Sequence, residues 1–130
     1  MKPVAALLIA TSTLFSQAAF GDEIRRTTFP KAMMGTWAQT AEQCTAKDKS
    51  NIVIETAKYD DASGSCDVRW IVETAGSQGP NYAGHALCTS ALDSAKTEVV
   101  NIIIRPQGND RASMGRSFED LKTYQRCPAE

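Results

Sequence analysis

The sequence predicts an all-β fold: an antiparallel up-and-down meander closing into a barrel of seven or eight strands, with a short N-terminal helical turn and two disulfides. Three observations point there. Most of the chain breaks into short β-type runs separated by clusters of Gly, Pro, Asn, Asp and Ser, which close turns. Residues 65–74, SCDVRWIVET, set Cys66, Val68, Trp70 and Val72 in alternation with Asp67, Arg69, Ile71 and Glu73, the period of a half-buried strand. Cys44, Cys66, Cys88 and Cys127 are spread along the chain with no Cys-x-x-Cys among them, as in a disulfide framework.

The chain opens MKPVAALLIATSTLFSQAAFG, with one Lys, an apolar run from Val4 to Phe15, and small residues around Ala18, Ala19 and Gly21. That order marks a secretory signal peptide. The run is too short to span a bilayer, which takes about 20 predominantly apolar residues. Residues 1–21 are expected to be removed, with cleavage after Gly21 the first choice and after Ala18 the second. Residues 22–130 then form a single domain, periplasmic or secreted, with no stable membrane insertion.

Thr28, Phe29, Pro30 and the following KAMMG read as one helical turn, with Thr28 as N-cap and Gly35 as stop. Strands are expected near 35–40 (GTWAQT), 51–58 (NIVIETAK), 65–74, 82–89 (YAGHALCT), 98–106 (EVVNIIIRP), 111–115 and 120–127 (DLKTYQRC). Between them stand DDASG, AGSQGPN, SALDSAK and PQGND. FEDLK, residues 118–122, reads as a loop leading into the last strand rather than as a helical turn.

Up-and-down order places Cys44 past the end of the first strand and Cys127 at the same end of the last, and barrel closure makes those strands neighbours. Cys66 begins the third strand and Cys88 ends the fourth. A hairpin centred on Ser77 sets 66 across from 88, 68 from 86, 70 from 84 and 72 from 82, so that Trp70 covers bare backbone at Gly84. The expected bridges are therefore Cys44–Cys127 and Cys66–Cys88. The first closes a loop of more than 80 residues, worth roughly 4–5 kcal/mol in the chain-entropy model.

Lys and Arg number 14 and Asp and Glu 15; without Lys2 the exported chain carries 13 and 15, a net charge of −2 spread without blocks. Nucleic acid and anionic membrane surfaces demand clustered cations and are excluded as partners. The one local cluster, Arg25-Arg26, reads as a solvated arm. His85, the single histidine, cannot complete the usual zinc ligand sets, and no metal or cofactor is expected.

A Gly-x-Trp, Gly35 to Trp37, follows the helical turn in PKAMMGTWAQT, residues 30–40, and a cysteine comes seven residues after the Trp. This resembles the lipocalins and their calycin relatives, in which a Gly-x-Trp begins the first strand and the Trp packs across the closed end of the barrel. It is also similar to the start of the small periplasmic barrel inhibitors of bacterial metalloproteases. The chain as a whole looks like small exported bacterial proteins that end in Arg-Cys-Pro, here Arg126, Cys127 and Pro128. The resemblance implies that Trp37 plugs the barrel. The chain is shorter than a lipocalin, and a large internal ligand cavity is not expected.

His85 is the one strong general-base candidate, yet the register above puts it on the outer face, opposite Arg69 and away from Trp70, where it makes a poor base and a poor ligand. Asp60-Asp61 read as turn residues rather than as an acid–base pair. No phosphate-cradling glycine loop or nucleophile elbow is present, and an enzyme is not expected. Phe29, Met33, Met34, Trp37, Trp70 and Tyr124 read as core, because a domain of this size needs its large side chains there. The loop AGSQGPNY, residues 75–82, supplies the candidate binding residues Ser77, Gln78, Asn81 and Tyr82. The function expected is a monomeric, disulfide-stapled binding module, an inhibitor of an exported enzyme or a binder of a small ligand. The alternative is an envelope-associated structural or stress-related protein.

Overall fold

A computed structural model describes residues 23–129; the expected signal peptide, residues 1–21, lies outside the described residues. Nine strands occur there: β1 (Ile24–Arg26), β2 (Gly35–Ala38), β3 (Ile52–Glu55), β4 (Lys58–Asp61), β5 (Gly64–Gly76), β6 (Gly79–Ser90), β7 (Thr97–Pro106), β8 (Arg111–Gly115) and β9 (Lys122–Arg126). Strands β2 to β9 each run antiparallel to the next, and β9 returns to β2, so eight strands close an up-and-down barrel. The ninth, β1, lies outside the cycle. It pairs with β5 at Ile24–Glu73, Arg25–Val72 and Arg26–Ile71, on a stretch beyond the pairing of β4 with β5. Arg25-Arg26 is thus part of a strand rather than a solvated arm.

The eighth barrel strand comes from a division of the expected strand 51–58. The chain turns at Thr56-Ala57, and β4 returns beside β3 with Asp60 opposite Val53 and Tyr59 opposite Ile54. Asp60-Asp61 therefore finish a strand, and the turn proper is Ala62-Ser63, where the Ser63 N–H donates to Asp61 Oδ1 at 2.9 Å. Gly64 follows at φ +144°, and a Cβ there would stand 1.9 Å from the Thr89 carbonyl oxygen. No other residue fits that approach.

An eighth strand also reverses β9 relative to β2. Cys127 then sits beside the start of β2, its N–H donating to the Thr36 carbonyl at 2.8 Å, rather than beside the end of β2 as expected. The helix α1 (Ala41–Ala46), which strand reading overlooked, brings Cys44 back to meet it. It begins with a reciprocal cap: Thr40 Oγ1 accepts from the Gln43 N–H at 3.3 Å, and Gln43 Oε1 accepts from the Thr40 N–H at 3.2 Å. It stops at Lys47, which adopts a left-handed conformation. Cys44 and Cys127 are bridged with Cα atoms 5.5 Å apart, the expected pair reached by a different path.

Cys66 and Cys88 are also bridged as expected, directly opposite one another on β5 and β6 and both buried. The expected register holds for 66–88 and 68–86 and then slips at a β-bulge around Arg69, so that Trp70 faces His85 and Ile71 faces Gly84. Trp70 and His85 stack on the outer face, ring centroids 4.0 Å apart and planes 10° off parallel. The Trp70–Gly84 pairing and the separation of His85 from Trp70 are both corrected. Phe29 takes the place over Gly84, its Cζ 3.8 Å from where a Cβ would stand.

Inside the barrel Trp37, Tyr59, Ile52, Ile54, Ile71, Ile102, Ile104, Met114, Cys66 and Cys88 are all fully buried. Phe29 and Met33 join them, Tyr124 packs against them, and Trp70 stands outside the core. The helical turn comes at Lys31–Met33 with Pro30, not Thr28, as its N-cap. A second 3₁₀ turn, Phe118–Asp120, replaces the loop expected at FEDLK. The segment around Phe29 crosses the end at which β2 begins, its Phe29 N–H donating to the Thr56 carbonyl at 2.8 Å. Trp37 Nε1–H donates to the Met33 carbonyl at 3.0 Å, and the Arg126 guanidinium lies 4.4 Å from the Trp37 ring centroid. Arg126 in turn donates to the carbonyls of Ala32 and Met34, the latter at 2.8 Å. Trp37 is fully buried at this end, as the plug reading requires.

Candidate binding groove on the barrel wall

The residues expected to bind do not converge. Ser77 and Gln78 form an exposed two-residue tip between Gly76 and Gly79, while Asn81 and Tyr82 belong to β6. The connection expected over 75–82 is mostly strand. Tyr82 is buried on the inner side, where burial and then the Glu73 carboxylate push its phenol pKa up. Glu73 itself pairs with Arg26 at 3.4 Å.

The end opposite Trp37 carries polar groups instead. The Arg116 guanidinium grips the Asp61 carboxylate with two hydrogen bonds, Nε to Oδ2 at 2.9 Å and Nη2 to Oδ1 at 2.8 Å. Tyr59 lies beside this pair. Its pKa is driven far above the ordinary tyrosine value, by burial first and by the Asp61 charge second. Tyr124 is raised by the same two causes. A surface recess of about 780 Å³ opens here between Arg116, Ser63 and the β6–β7 loop. That loop is held by the Ser90 N–H on the Lys96 carbonyl and the Lys96 N–H on the Asp93 carbonyl, both at 3.0 Å, and it presents Leu92 at 98 % exposure.

A larger groove, about 1040 Å³, runs along the outer wall from Gly35 to Ala62 and Ala91. Its floor follows from strand register. Thr36 pairs with Val53 and Val53 with Asp60, so a hydroxyl, an aliphatic and a carboxylate side chain stand in one row across β2, β3 and β4. One wall is Thr45 and the segment Lys47–Asn51, the other Cys127–Ala129, and the Cys44–Cys127 bridge ties the two together. Asp60 also accepts from the Ser65 hydroxyl. At the rim Asp48 accepts from the Ser50 N–H at 2.8 Å and its hydroxyl at 2.7 Å, which holds its carboxyl below the usual aspartate value.

Asn51 is the unusual member. It lines the groove at 8 % exposure, and its Nδ2 donates to the Gln43 carbonyl at 2.9 Å. That bond fixes the amide's orientation, and the other atom, Oδ1, is buried with no partner among the described residues. A buried acceptor left unpaired costs about 1–3 kcal/mol. Sequence reading took Asn51 as the first residue of a strand, and no local signal distinguishes it. Its hydrogen-bond partner, the Gln43 carbonyl, lies eight residues back in α1, the helix that strand reading overlooked.

Chemically the groove offers a carboxylate at Asp60, hydroxyls at Thr36 and Thr45, apolar surface at Val53 and Met34, and an ammonium group at Lys49. This set places hydrogen-bonding, charged and apolar groups side by side. His85 lines neither recess. No family model, curated protein or solved structure matches the chain.

Proposed function

We propose that the chain is an exported, disulfide-stapled binding module that holds a small ligand against its outer wall. The groove of about 1040 Å³ on the outer wall, braced by the Cys44–Cys127 bridge, carries this reading. The barrel interior supports it from the other side, because ten fully buried side chains, Trp37 and Tyr59 among them, occupy the space where an internal ligand would lie. To test it, purified exported protein is incubated with a small-molecule extract of the host periplasm and washed, and retained compounds are released by denaturation for mass spectrometry. Wild type is expected to retain a compound that Val53→Arg, which fills the groove floor, does not. Equal retention by both, or retention by neither, contradicts the proposal.

Inhibition of an exported enzyme is the second reading, and Leu92 favours it, a fully exposed anchor on a hydrogen-bonded loop. Leu92→Asp then abolishes capture of a partner protein while leaving small-molecule retention intact.

A further inference from the structure

Apart from the groove, we propose that the opening half of β7, residues 97–101, is a docking edge for an extended segment of a partner protein, which adds to the barrel wall as a short extra strand. Strand β6 pairs with β7 from Thr97 to Ile104, whereas β8 reaches β7 only from Ile103 onward, with Gly115 opposite Ile103. Residues 97–101 therefore have a paired strand on one side only. Register tells which of their main-chain groups are left over. The Ser90 N–H donates to the Lys96 carbonyl, so Lys96, Glu98 and Val100 turn their N–H and C=O toward β6. Thr97, Val99 and Asn101 turn theirs to the open side, and among the described residues no hydrogen bond reaches those groups. All three residues are exposed, Val99 at 64 %. The segment contains no Pro, no Lys and no bulge, the usual guards against strand addition.

An extended backbone is what this pattern accepts, because donor and acceptor stand side by side at every second residue and face one way. Apolar surface continues the edge. Leu92, just ahead of β7, is 98 % exposed, and Phe118, in the 3₁₀ turn after β8, is 66 % exposed. The recess of about 780 Å³ borders the same edge, with Thr97 and Glu98 in its lining. A second copy of this chain fits poorly. Two β7 edges paired antiparallel about Val99 bring Ala95 of the copy to the place opposite Ile103 that Gly115 already fills. Pairing about Glu98 sets two carboxylates opposite each other, and pairing about Thr97 sets Val99 against Ala95, whose N–H is held by Asp93 Oδ1. A separate segment matching residues 97–101 ends before Gly115 and meets none of these obstacles.

The experiment pans a phage-displayed library of random octapeptides on the exported, oxidised protein, then titrates a synthetic enriched peptide into ¹⁵N-labelled protein. The peptide is expected to give saturable shifts at Thr97, Val99 and Asn101 and to slow exchange of those three amides. Val99→Pro removes an N–H that the barrel ladder does not use, and is expected to weaken binding about tenfold or more while the Glu98 and Val100 amides keep their protection. N-methylation of alternate peptide residues supplies a check that needs no protein variant and decides alone if Val99→Pro fails to fold. Methylation in one phase is expected to abolish binding and in the other to retain it. No enriched peptide, shifts that map elsewhere, or equal binding by the two methylated phases overturns the proposal, as does undiminished binding to folded Val99→Pro. Protection of the three amides that rises with protein concentration in the absence of peptide overturns the separate partner and assigns the edge to a second copy.

Discussion

The two ends of the barrel are finished by opposite means. Where β2 begins, Phe29, Met33 and Trp37 are buried together, and the Arg126 guanidinium lies on the Trp37 ring with its donors on main-chain carbonyls. At the other end Asp61 and Arg116 pair at 15 % and 19 % side-chain exposure, and the neighbouring loop leaves Leu92 in solvent. The first arrangement couples apolar burial to hydrogen bonds that need no second charge. The second depends on a half-wet ion pair, whose worth is reduced by solvent. The plugged end is thus the more firmly anchored of the two, and the opposite rim carries polar chemistry.

Substitutions probe this contrast in descending order of effect. Trp37→Ala is expected to lower unfolding free energy by about 3–5 kcal/mol, as large-to-small aromatic changes in cores do. Denaturant unfolding with disulfides intact checks it, and a loss below about 1 kcal/mol would show that the plug is not the anchor of the fold. Asp61→Ala at the other end is expected to cost about 2 kcal/mol, because two charge-assisted hydrogen bonds disappear and Arg116 is left half-buried. A cost equal to that of Trp37→Ala erases the proposed difference between the ends. On the outer face His85→Ala removes the stack on Trp70, worth about 0.5–1 kcal/mol, and ligand retention is expected to be unchanged.

Alkaline pH sharpens the comparison. Burial and the Asp61 charge raise the Tyr59 pKa in the folded state. Its contribution is therefore present in full below the unfolded tyrosine value of about 10 and is lost as pH rises above it. Urea midpoints between about pH 9 and 11 are expected to fall less steeply for Tyr59→Phe than for wild type. Parallel slopes for the two proteins contradict the placement of Tyr59 in a dry, negatively biased site.

Particular residues show what the sequence made legible. Six strands and the Cys66–Cys88 bridge follow from turn chemistry and alternation, Cys44–Cys127 was expected from a seven-strand order that the eighth strand replaces, and Trp37 is buried as the Gly-x-Trp resemblance implies. The bulge at Arg69 does not, because Trp70, Ile71 and Val72 are all apolar and either phase of the alternation is acceptable to them. Strand β4 was hidden by Asp60-Asp61, whose turn preference is overridden by pairing with β3 and β5 and, for Asp61, by Arg116 more than fifty residues away. The helix α1 had a visible cap in Thr40 and Gln43, ahead of the strand expected from residue 51, and its shortness masked it. The groove was illegible for a different reason. Its floor is set by register across three strands and its wall by a disulfide, and neither appears in any local window.

Native-state hydrogen exchange at single-residue resolution tests the asymmetry between the ends most directly. Amides of Phe29 and Cys127, bonded to Thr56 and Thr36 at the plugged end, are expected to exchange only through global unfolding, with protection that tracks the denaturant-derived stability. Amides of Ala95 and Lys96, bonded within the β6–β7 loop at the rim, are expected to exchange through local opening at far lower free energy. Equal protection at the two ends, or faster exchange at Phe29 and Cys127 than at Ala95 and Lys96, contradicts the account.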